Sequence, residues 1–277
     1  MAEFIVGVDG SAGGAAALRW AARLASAAGV GLVAINAYHR PFAEIPPDDF
    51  EEDLTARGVR LAEEWVKPAV DMGVAVRTIV HEGDARTMLD DADRDAALVV
   101  LGRSGHGTEP GLFHVGSVVE HVAHHASVPL AVVQPEGATT VDQIVLGLDG
   151  SRESDAAVRW VAQYAPALHA DVLAVHVDER ASRRSGSAEQ RALAEDTIRR
   201  WAEPISAAGV GVTPLDVCDL HPADALVGAA ARKPDSLLVI GTRGTGGFTG
   251  LRIGGVAMKV LHRATRDLVL VPPDGKD

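Results

Sequence analysis

A glycine-rich stretch near the end of the chain has the residue types of a phosphate-binding loop. It runs from Gly241 to Gly255, between the apolar run Leu237–Ile240 and the helix-like segment Val256–Ala264. Glycine lets a backbone adopt φ > 0 and brings bare amides close to a ligand, while free N–H groups at a helix N-terminus favour an anion. The glycines expected to act in this way are Gly241, Gly244, Gly246, Gly247 and Gly250. The stretch therefore predicts a phosphate site; the alternative is a connection that binds nothing.

The first half of the chain contains a second copy of this stretch. Gly102–Ser117 follows the apolar run Ala97–Leu101 and precedes another helix-like run. A further pair of motifs repeats at the same offset, since GVDGS at Gly7–Ser11 returns as GLDGS at Gly147–Ser151. An offset of about 140 residues is a usual domain size. We therefore predict two copies of one unit, at residues 1–136 and 142–277.

Composition limits the classes of partner. The chain has 277 residues, 47% of them hydrophobic and 23% charged, with a net charge of −12. That acidity, and the absence of a Lys/Arg-rich face, argue against nucleic acid or an anionic membrane as a partner. Strand-like sequence starts at Phe4, and no apolar run approaches the ~20 residues that span a bilayer, so we expect no signal peptide, no membrane segment and a cytoplasmic protein.

Apolar strands alternate with helices in both halves. Strands that are apolar along their whole length and separated by helices are typical of parallel sheets covered on both faces. The predicted fold class is therefore α/β, with two tandem doubly wound parallel sheets, each with strand order 3-2-1-4-5. Within this pattern, Ser11 is predicted to cap the first helix, and Ala188–Ala208 is predicted to form one long helix.

The strand order also predicts where a ligand binds. In an open parallel sheet, ligands sit beyond the carboxyl ends of the strands, at the point where the strand order reverses. That point falls between strands one and four. Asp9 and Asp149 are expected to end the first strands, and Gly102 and Gly241 to end the fourth. Each half should therefore contain one crevice, with an aspartate facing a glycine motif.

At these residues the chain resembles the universal stress protein family in its tandem two-domain form, over essentially its whole length. The resemblance implies Rossmann-like domains of the adenine nucleotide alpha hydrolase type. ATP-binding members of that family carry Gly, two residues, Gly, nine residues, and then Gly-Ser or Gly-Thr. In the second half Gly241, Gly244 and Gly254 have this spacing, but Gly255 replaces the hydroxyl residue.

The first copy departs from the family pattern in a different way. Gly102 and Gly105 match, and Gly116 with Ser117 supplies the ending, but ten residues intervene instead of nine. The extra residue lies between His106 and Val115 and is expected to be absorbed as a bulge. Loss of the hydroxyl at position 255 should cost the second site on the order of 0.5–1.5 kcal/mol. Both sites are therefore kept as predicted nucleotide sites.

The resemblance also implies roles for residues outside the glycine motifs. Asp9 and Asp149 would approach the ribose or a metal-bound water, and Ala37 and Val177 would line the adenine pocket. The alternatives are that the aspartates cap the following helices and that Ala37 and Val177 belong to the core. Arg103 and Arg243, which lie within the Gly-x-x-Gly segments, would either pair with phosphate or sit in solvent.

Other reactive side chains are given simpler interpretations. His121, His124 and His125 share one helix, but no carboxylate or cysteine is evidently placed to complete a zinc site, so a solvated polar face is favoured. Cys218 is the one cysteine, which excludes an intrachain disulfide and fits a reducing compartment. Because it follows the apolar run Val212–Val217, we expect a buried, inert thiol.

Three functions remain open at this point. The first is a nucleotide-dependent regulator of stress response or growth state that binds ATP, with Mg²⁺ as its companion ion and at most slow hydrolysis. The second is an interaction module of the same fold that binds no nucleotide. The third is another adenine-nucleotide enzyme, for which further catalytic groups would be needed. Homodimer formation and the identity of a protein partner are left open by the sequence.

Overall fold

The computed structural model divides the chain into two compact units, Met1–Glu136 and Gly137–Asp277. The described residues are 3–38, 49–92, 96–105, 115–125, 127–137, 140–178, 188–244 and 253–273. Within these ranges, the side chains of residues 49–57 are not described. No helix in this part of the chain is long and apolar enough to cross a bilayer.

The first unit is a five-stranded parallel sheet with helices between the strands. Its strands pair in the order β3-β2-β1-β4-β5. In chain order its elements are β1 Glu3–Gly7, α1 Ala12–Ala28, β2 Leu32–Tyr38, α2 Asp49–Asp71, β3 Val76–Glu82, α3 Ala85–Ala92, β4 Ala96–Gly102, α4 Ser117–His125 and β5 Leu130–Val133.

The second unit repeats this arrangement with one additional short helix. Its strands are parallel and pair in the order β8-β7-β6-β9-β10. Its elements are β6 Gln143–Leu148, α5 Arg152–Leu168, β7 Asp171–Asp178, α6 Ala188–Trp201, α7 Glu203–Ala207, β8 Val212–Cys218, α8 Pro222–Ala231, β9 Ser236–Gly241, α9 Gly255–Arg263 and β10 Asp267–Val271. The predicted α/β class and the strand order 3-2-1-4-5 are confirmed in both units.

The central strands of each sheet are buried on both faces. In β4, Leu98, Val99 and Val100 are fully buried, and in β9 the same is true of Leu237 and Leu238. Apolar side chains on alternate faces of a strand each need a covering layer, which the helices on the two sides supply. The central strands β1, β4, β6 and β9 are thereby fixed, and the turns at their carboxyl ends are held in place.

One predicted helix is broken in the structure. The segment predicted as a single helix over Ala188–Ala208 forms α6, which ends at Trp201, and the short α7, which begins at Glu203. Pro204 lies in the first turn of α7. Proline has no N–H group to continue the helical hydrogen bonds and clashes with the preceding turn, so the first helix ends before it.

Candidate functional site

The turn after the first strand is built on an aspartate that holds a helix cap. Asp9 Oδ1 accepts hydrogen bonds from the Ser11 amide at 3.0 Å and from the Ser11 hydroxyl at 2.5 Å. Ser11 Oγ in turn accepts from the Gly14 amide at 3.0 Å, which makes Ser11 the N-cap of α1, as predicted. Asp9 is therefore not itself the cap; it orients the residue that is.

The second unit repeats this network almost atom for atom. Asp149 Oδ1 accepts from the Ser151 amide at 3.0 Å and from its hydroxyl at 2.5 Å. Ser151 Oγ accepts from the Ser154 amide at 3.1 Å and caps α5. Serine is among the preferred N-caps because its oxygen satisfies one of the free amides of the first turn. Each aspartate is thus fixed by two hydrogen bonds in the turn after the first strand of its unit.

A tryptophan packs on the glycine inside each of these turns. Gly10 and Gly150 adopt φ of 78° and 74°, a conformation that glycine tolerates and other residues rarely adopt. A Cβ at Gly150 would lie 2.9 Å from the indole of Trp201 on α6, and one at Gly10 would lie 2.5 Å from Trp65 on α2. These two glycines are required both by the backbone angle and by the aromatic contact.

The glycines of the predicted phosphate loops serve close packing instead. A Cβ at Gly241 would lie 2.7 Å from Glu153 Cβ and 2.8 Å from its carbonyl carbon, in the first turn of α5. A Cβ at Gly244 would overlap Asp149 Oδ2, and one at Gly105 would overlap Asp9 Oδ2. The second glycine of each motif therefore lets the loop backbone lie against the aspartate of the first turn.

The expectation of φ > 0 at Gly241 and Gly244 is wrong. Among the described residues, the positive-φ glycines include Gly10 and Gly150 but neither of these two. The physical reason for glycine at both positions is the missing side chain, which permits contact between two backbone segments. The remaining glycines of that prediction, Gly246, Gly247 and Gly250, lie outside the described residues.

Both loops return to the same place. The Gly116 amide donates to the Arg103 carbonyl at 2.9 Å, and the Gly254 amide donates to the Thr242 carbonyl at 2.7 Å. These bonds place the start of α4, and likewise that of α9, beside the end of the fourth strand of its unit. The middle of each loop, including the extra residue between His106 and Val115, lies outside the described residues.

In the first unit these elements enclose a cavity of about 450 Å³. It lies at the carboxyl ends of β1, β2 and β4 and reaches the first turns of α3 and α4. Ala37 is half-buried at the end of β2 and faces this space instead of being enclosed in the core. All the residues predicted for the first site line the cavity: Asp9, Ala37, Gly102, Gly105, Gly116 and Ser117.

The second unit has the corresponding cavity, with a volume of about 680 Å³. Val177 occupies the place of Ala37, half-buried near the end of β7. The residues predicted for the second site all line it: Asp149, Val177, Gly241, Arg243, Gly244, Gly254 and Gly255. The structure thus brings together, in each unit, residues that come from four separate parts of the sequence.

The comparisons with known proteins agree with this architecture. The family model described as "Universal stress protein family" matches the chain twice, over residues 2–134 and 140–272. The chain belongs to the universal stress protein family. A universal stress protein of Mycobacterium tuberculosis is 31% identical over 286 residues, which cover 94% of this chain and 93% of that protein. One of Mycolicibacterium smegmatis is 28% identical over 293 residues, covering 97% and 96%.

Solved structures of this family show the same fold. A universal stress protein of Archaeoglobus fulgidus superposes with a TM-score of 0.74 at 17% identity, covering 98% of both chains. A structure from Pseudomonas aeruginosa gives a TM-score of 0.64 at 18% identity, covering 98% of this chain and 93% of that one. At these identities the likeness concerns the fold alone.

The two arginines of the Gly-x-x-Gly segments have different environments. Arg103 is 5% exposed and does not line the first cavity, so neither of the two alternatives predicted for it, phosphate contact or solvent, describes it. Its burial lowers the pKa of the guanidinium, because a charge is less stable away from water. Arg243 does line the second cavity, and its Nε donates to Glu153 Oε1 at 2.9 Å.

The difference follows from position within the motif. Arg103 comes directly after the first glycine, where the second unit has Thr242, which is also buried. Arg243 comes one residue later, where the first unit has Ser104. Ser104 and Arg243 both line their cavities. Of the two residues between these glycines, only the second therefore lines the cavity in each unit.

Sequence reasoning missed a group of polar residues after the third strand of each unit. Asp84 and Arg86 line the first cavity at the start of α3, and His221 lines the second at the start of α8. Lys259, on α9, also lines the second cavity. The parallel topology could have indicated the residues that follow the third strands, because these strands end at the same edge of the sheet as the first strands.

The histidine cluster on α4 has a carboxylate partner that the sequence did not reveal. His121 Nε2 lies 2.8 Å from Asp90 Oδ2 on α3, and its ring stacks on His125 with the centroids 4.2 Å apart. The interpretation of a purely solvated face is therefore wrong for His121. Across the described ranges, no three His, Cys, Asp or Glu side chains come together as ligands for a metal ion.

Cys218 is half-buried at the end of β8, which corrects the expectation of a fully buried thiol. Partial burial raises the pKa of the thiol, and the neighbouring carboxylates of Asp216, Asp178 and Asp219 raise it further. The Sγ atom lies 3.8 Å from Asp216 Oδ2. A thiol with a raised pKa has a smaller thiolate fraction at a given pH, which makes it less reactive as a nucleophile.

Proposed function

We propose that this universal stress protein is a nucleotide-dependent regulator that binds ATP in one crevice of each unit. One observation carries the proposal: the predicted site residues of each half, drawn from separate elements, line a single cavity at the switch point of its sheet. Volumes of about 450 and 680 Å³ fall within the usual range for small-molecule sites. The fold alone would not support this function, but the composition of the cavities does.

Each crevice offers the groups that a nucleotide needs. The first turns of α4 and α9, which follow Gly116 and Gly254, present backbone amides to an anion. Ala37 and Val177 offer an apolar surface to an adenine ring. Asp9 and Asp149, already fixed by their bonds to serine, offer a carboxylate to the ribose hydroxyls or to a metal-bound water.

Magnesium enters this proposal as the companion of the phosphates. Mg²⁺ usually keeps several waters and is held by one or two carboxylates together with substrate phosphates. In this proposal such a water would be held by Asp9 or Asp149, which line the two cavities. Bound ATP would then report energy state through the conformation of the crevice and its loops, and slow hydrolysis would be incidental to that role.

The direct test is to identify what the purified protein carries. Gentle denaturation followed by mass analysis of the released small molecules should yield an adenine nucleotide, and the stripped chain should bind ATP with Mg²⁺ in calorimetry. If no nucleotide is released and ATP gives no binding heat, the proposal fails. The nucleotide-free interaction module then becomes the better account of the same fold.

A further inference from the structure

We propose that Lys259 and His221 form a phosphate-recognition pair in the second crevice, so that this crevice selects phosphorylated ligands over nucleosides more strongly than the first. The inference rests on the proposed function, because it assumes a ligand of the same class in both crevices. Both residues line the second cavity, His221 half-buried and Lys259 at the exposed mouth. Lys259 Nζ lies 2.8 Å from His221 Nε2.

The position of Lys259 places its charge near the amides of α9. It is the fifth residue of α9, which begins at Gly255. Helix side chains lean toward the N-terminus of the helix, so the ammonium lies over the first turn. That turn has no side-chain cap, since Gly254 is the N-cap and makes no side-chain hydrogen bond. An anion there receives the backbone amides and the lysine charge together.

The ring of His221 does not use up the donors of Lys259. Its Nδ1 lies 3.2 Å from the Ala223 amide nitrogen at the start of α8, and its Nε2 lies 2.8 Å from Lys259 Nζ. An ammonium has three N–H donors, and the contact with the ring takes up at most one of them. The remaining donors and the charge of Lys259 are available to a phosphoryl oxygen, while His221 holds the ammonium beside the crevice.

The other charged groups of the second cavity have partners of their own. Arg243 donates to Glu153 Oε1, and Asp149 accepts from Ser151. Asp178 also lines the cavity, and its carboxylate repels an anion. Within the described part of the chain, Lys259 contacts an imidazole and no carboxylate. Of the described lysine and arginine side chains that line this crevice, Lys259 is therefore the one that is not paired with a carboxylate.

Among the described residues that line the first crevice, no such pair occurs. Arg86, the cation that lines it, is held by Asp84, with Nε at 3.0 Å from both carboxylate oxygens and a terminal nitrogen 2.6 Å from Oδ2. The fifth residue of α4, at the place of Lys259, is His121, and it is bound to Asp90. Arg86 and His121 are thus each bound to a carboxylate, and the described part of this crevice offers an anion mainly backbone amides.

The experiment compares ATP with adenosine on the full chain. Gly105→Ala serves as the background, because its Cβ overlaps Asp9 and disables the first crevice. In that background Lys259→Gln and His221→Asn are titrated with ATP·Mg²⁺ and with adenosine by calorimetry. Asparagine keeps a capping acceptor at position 221. Lys67→Gln, at an exposed lysine of α2, is the matched control.

We expect Lys259→Gln to weaken ATP binding by about tenfold, and His221→Asn somewhat less, with adenosine affinity unchanged. Raised salt should weaken ATP binding less in Lys259→Gln than in the control. An unchanged ratio of ATP to adenosine affinity in both variants would overturn the inference while leaving the proposed function intact. Absence of ATP binding in the parent chain would instead overturn the proposed function.

Discussion

The first turns of the two units are built alike, whereas the charged side chains that line the two crevices differ. Asp9 and Asp149 each hold a capping serine, and Gly105 and Gly244 each lie against that aspartate. Among the side chains that line the crevices, Arg86 is bound to a carboxylate in the first unit, whereas Lys259 contacts His221 in the second. The shared turns depend on tight contacts at Gly105 and Gly244, whereas the differing charges lie on side chains that such packing does not constrain.

Substitution of the first glycine of a motif should cause the largest loss of stability. Gly241→Ala places a Cβ 2.7 Å from Glu153 Cβ and 3.0 Å from its carbonyl oxygen. Because backbone atoms of α5 cannot move aside cheaply, we expect a loss of about 1–3 kcal/mol in the free energy of unfolding. Urea unfolding followed by circular dichroism measures it.

Gly255→Ala is the matched control for that substitution. A Cβ at Gly255 meets nothing within 4 Å, and alanine favours a helix more than glycine does. The control should be neutral or slightly stabilising. Equal stability of the Gly241→Ala and Gly255→Ala variants would show that close packing is not the reason for glycine at position 241.

The second glycine of each motif should separate the two crevices. Gly244→Ala displaces the carboxylate of Asp149, and Gly105→Ala displaces that of Asp9. Since a side chain moves in both cases, stability should change less than in Gly241→Ala, while nucleotide binding is lost in the affected crevice alone. Calorimetry on the two variants should show loss of different sites. A variant that weakens both sites equally would contradict independent crevices.

Restoring the hydroxyl that the second motif lacks should have a smaller effect, and it should strengthen ATP binding instead of weakening it. Gly255→Ser adds a donor at the start of α9, where the first unit has Ser117 and where space is open. We expect ATP binding in the second crevice to strengthen by about 0.5–1.5 kcal/mol, and Ser117→Gly to weaken the first by a similar amount. Titrations of both variants provide the measurement, and unchanged affinity in both would remove the hydroxyl from the account.

The smallest expected effect concerns the reactivity of the Cys218 thiol. The raised pKa of Cys218 leaves less thiolate near neutral pH than an ordinary cysteine has. Alkylation by iodoacetamide at pH 8 should therefore be slower in the folded chain than in urea, and Asp216→Asn should speed it. Alkylation of the folded chain at the unfolded rate would contradict the influence of the neighbouring carboxylates.

The sequence predicted the features that repeat. Strand order, the cap at Ser11 and the meeting of Asp9 with its glycine motif all follow from period, turn chemistry and topology, which local patterns encode. It misjudged features that depend on contacts between distant segments. The packing of Gly241 on α5, the burial of Arg103 and the pairing of His121 with Asp90 leave no local signal.

The Lys259–His221 contact is another feature that local sequence patterns could not predict. The two residues are far apart in sequence, and each alone is typical of an exposed polar face. The two residues come into contact because the parallel sheet brings the starts of α8 and α9 to one crevice. Helix caps were easier to predict, because the serine and the amide it accepts from are three residues apart.

The central claim is that each unit holds one adenine nucleotide, and a binding titration of the stripped full chain with ATP·Mg²⁺ tests it most directly. The account predicts two sites per chain, the first lost in Gly105→Ala and the second lost in Gly244→Ala. Absence of binding, or binding that neither substitution weakens, would contradict the assignment of these two crevices as the nucleotide sites.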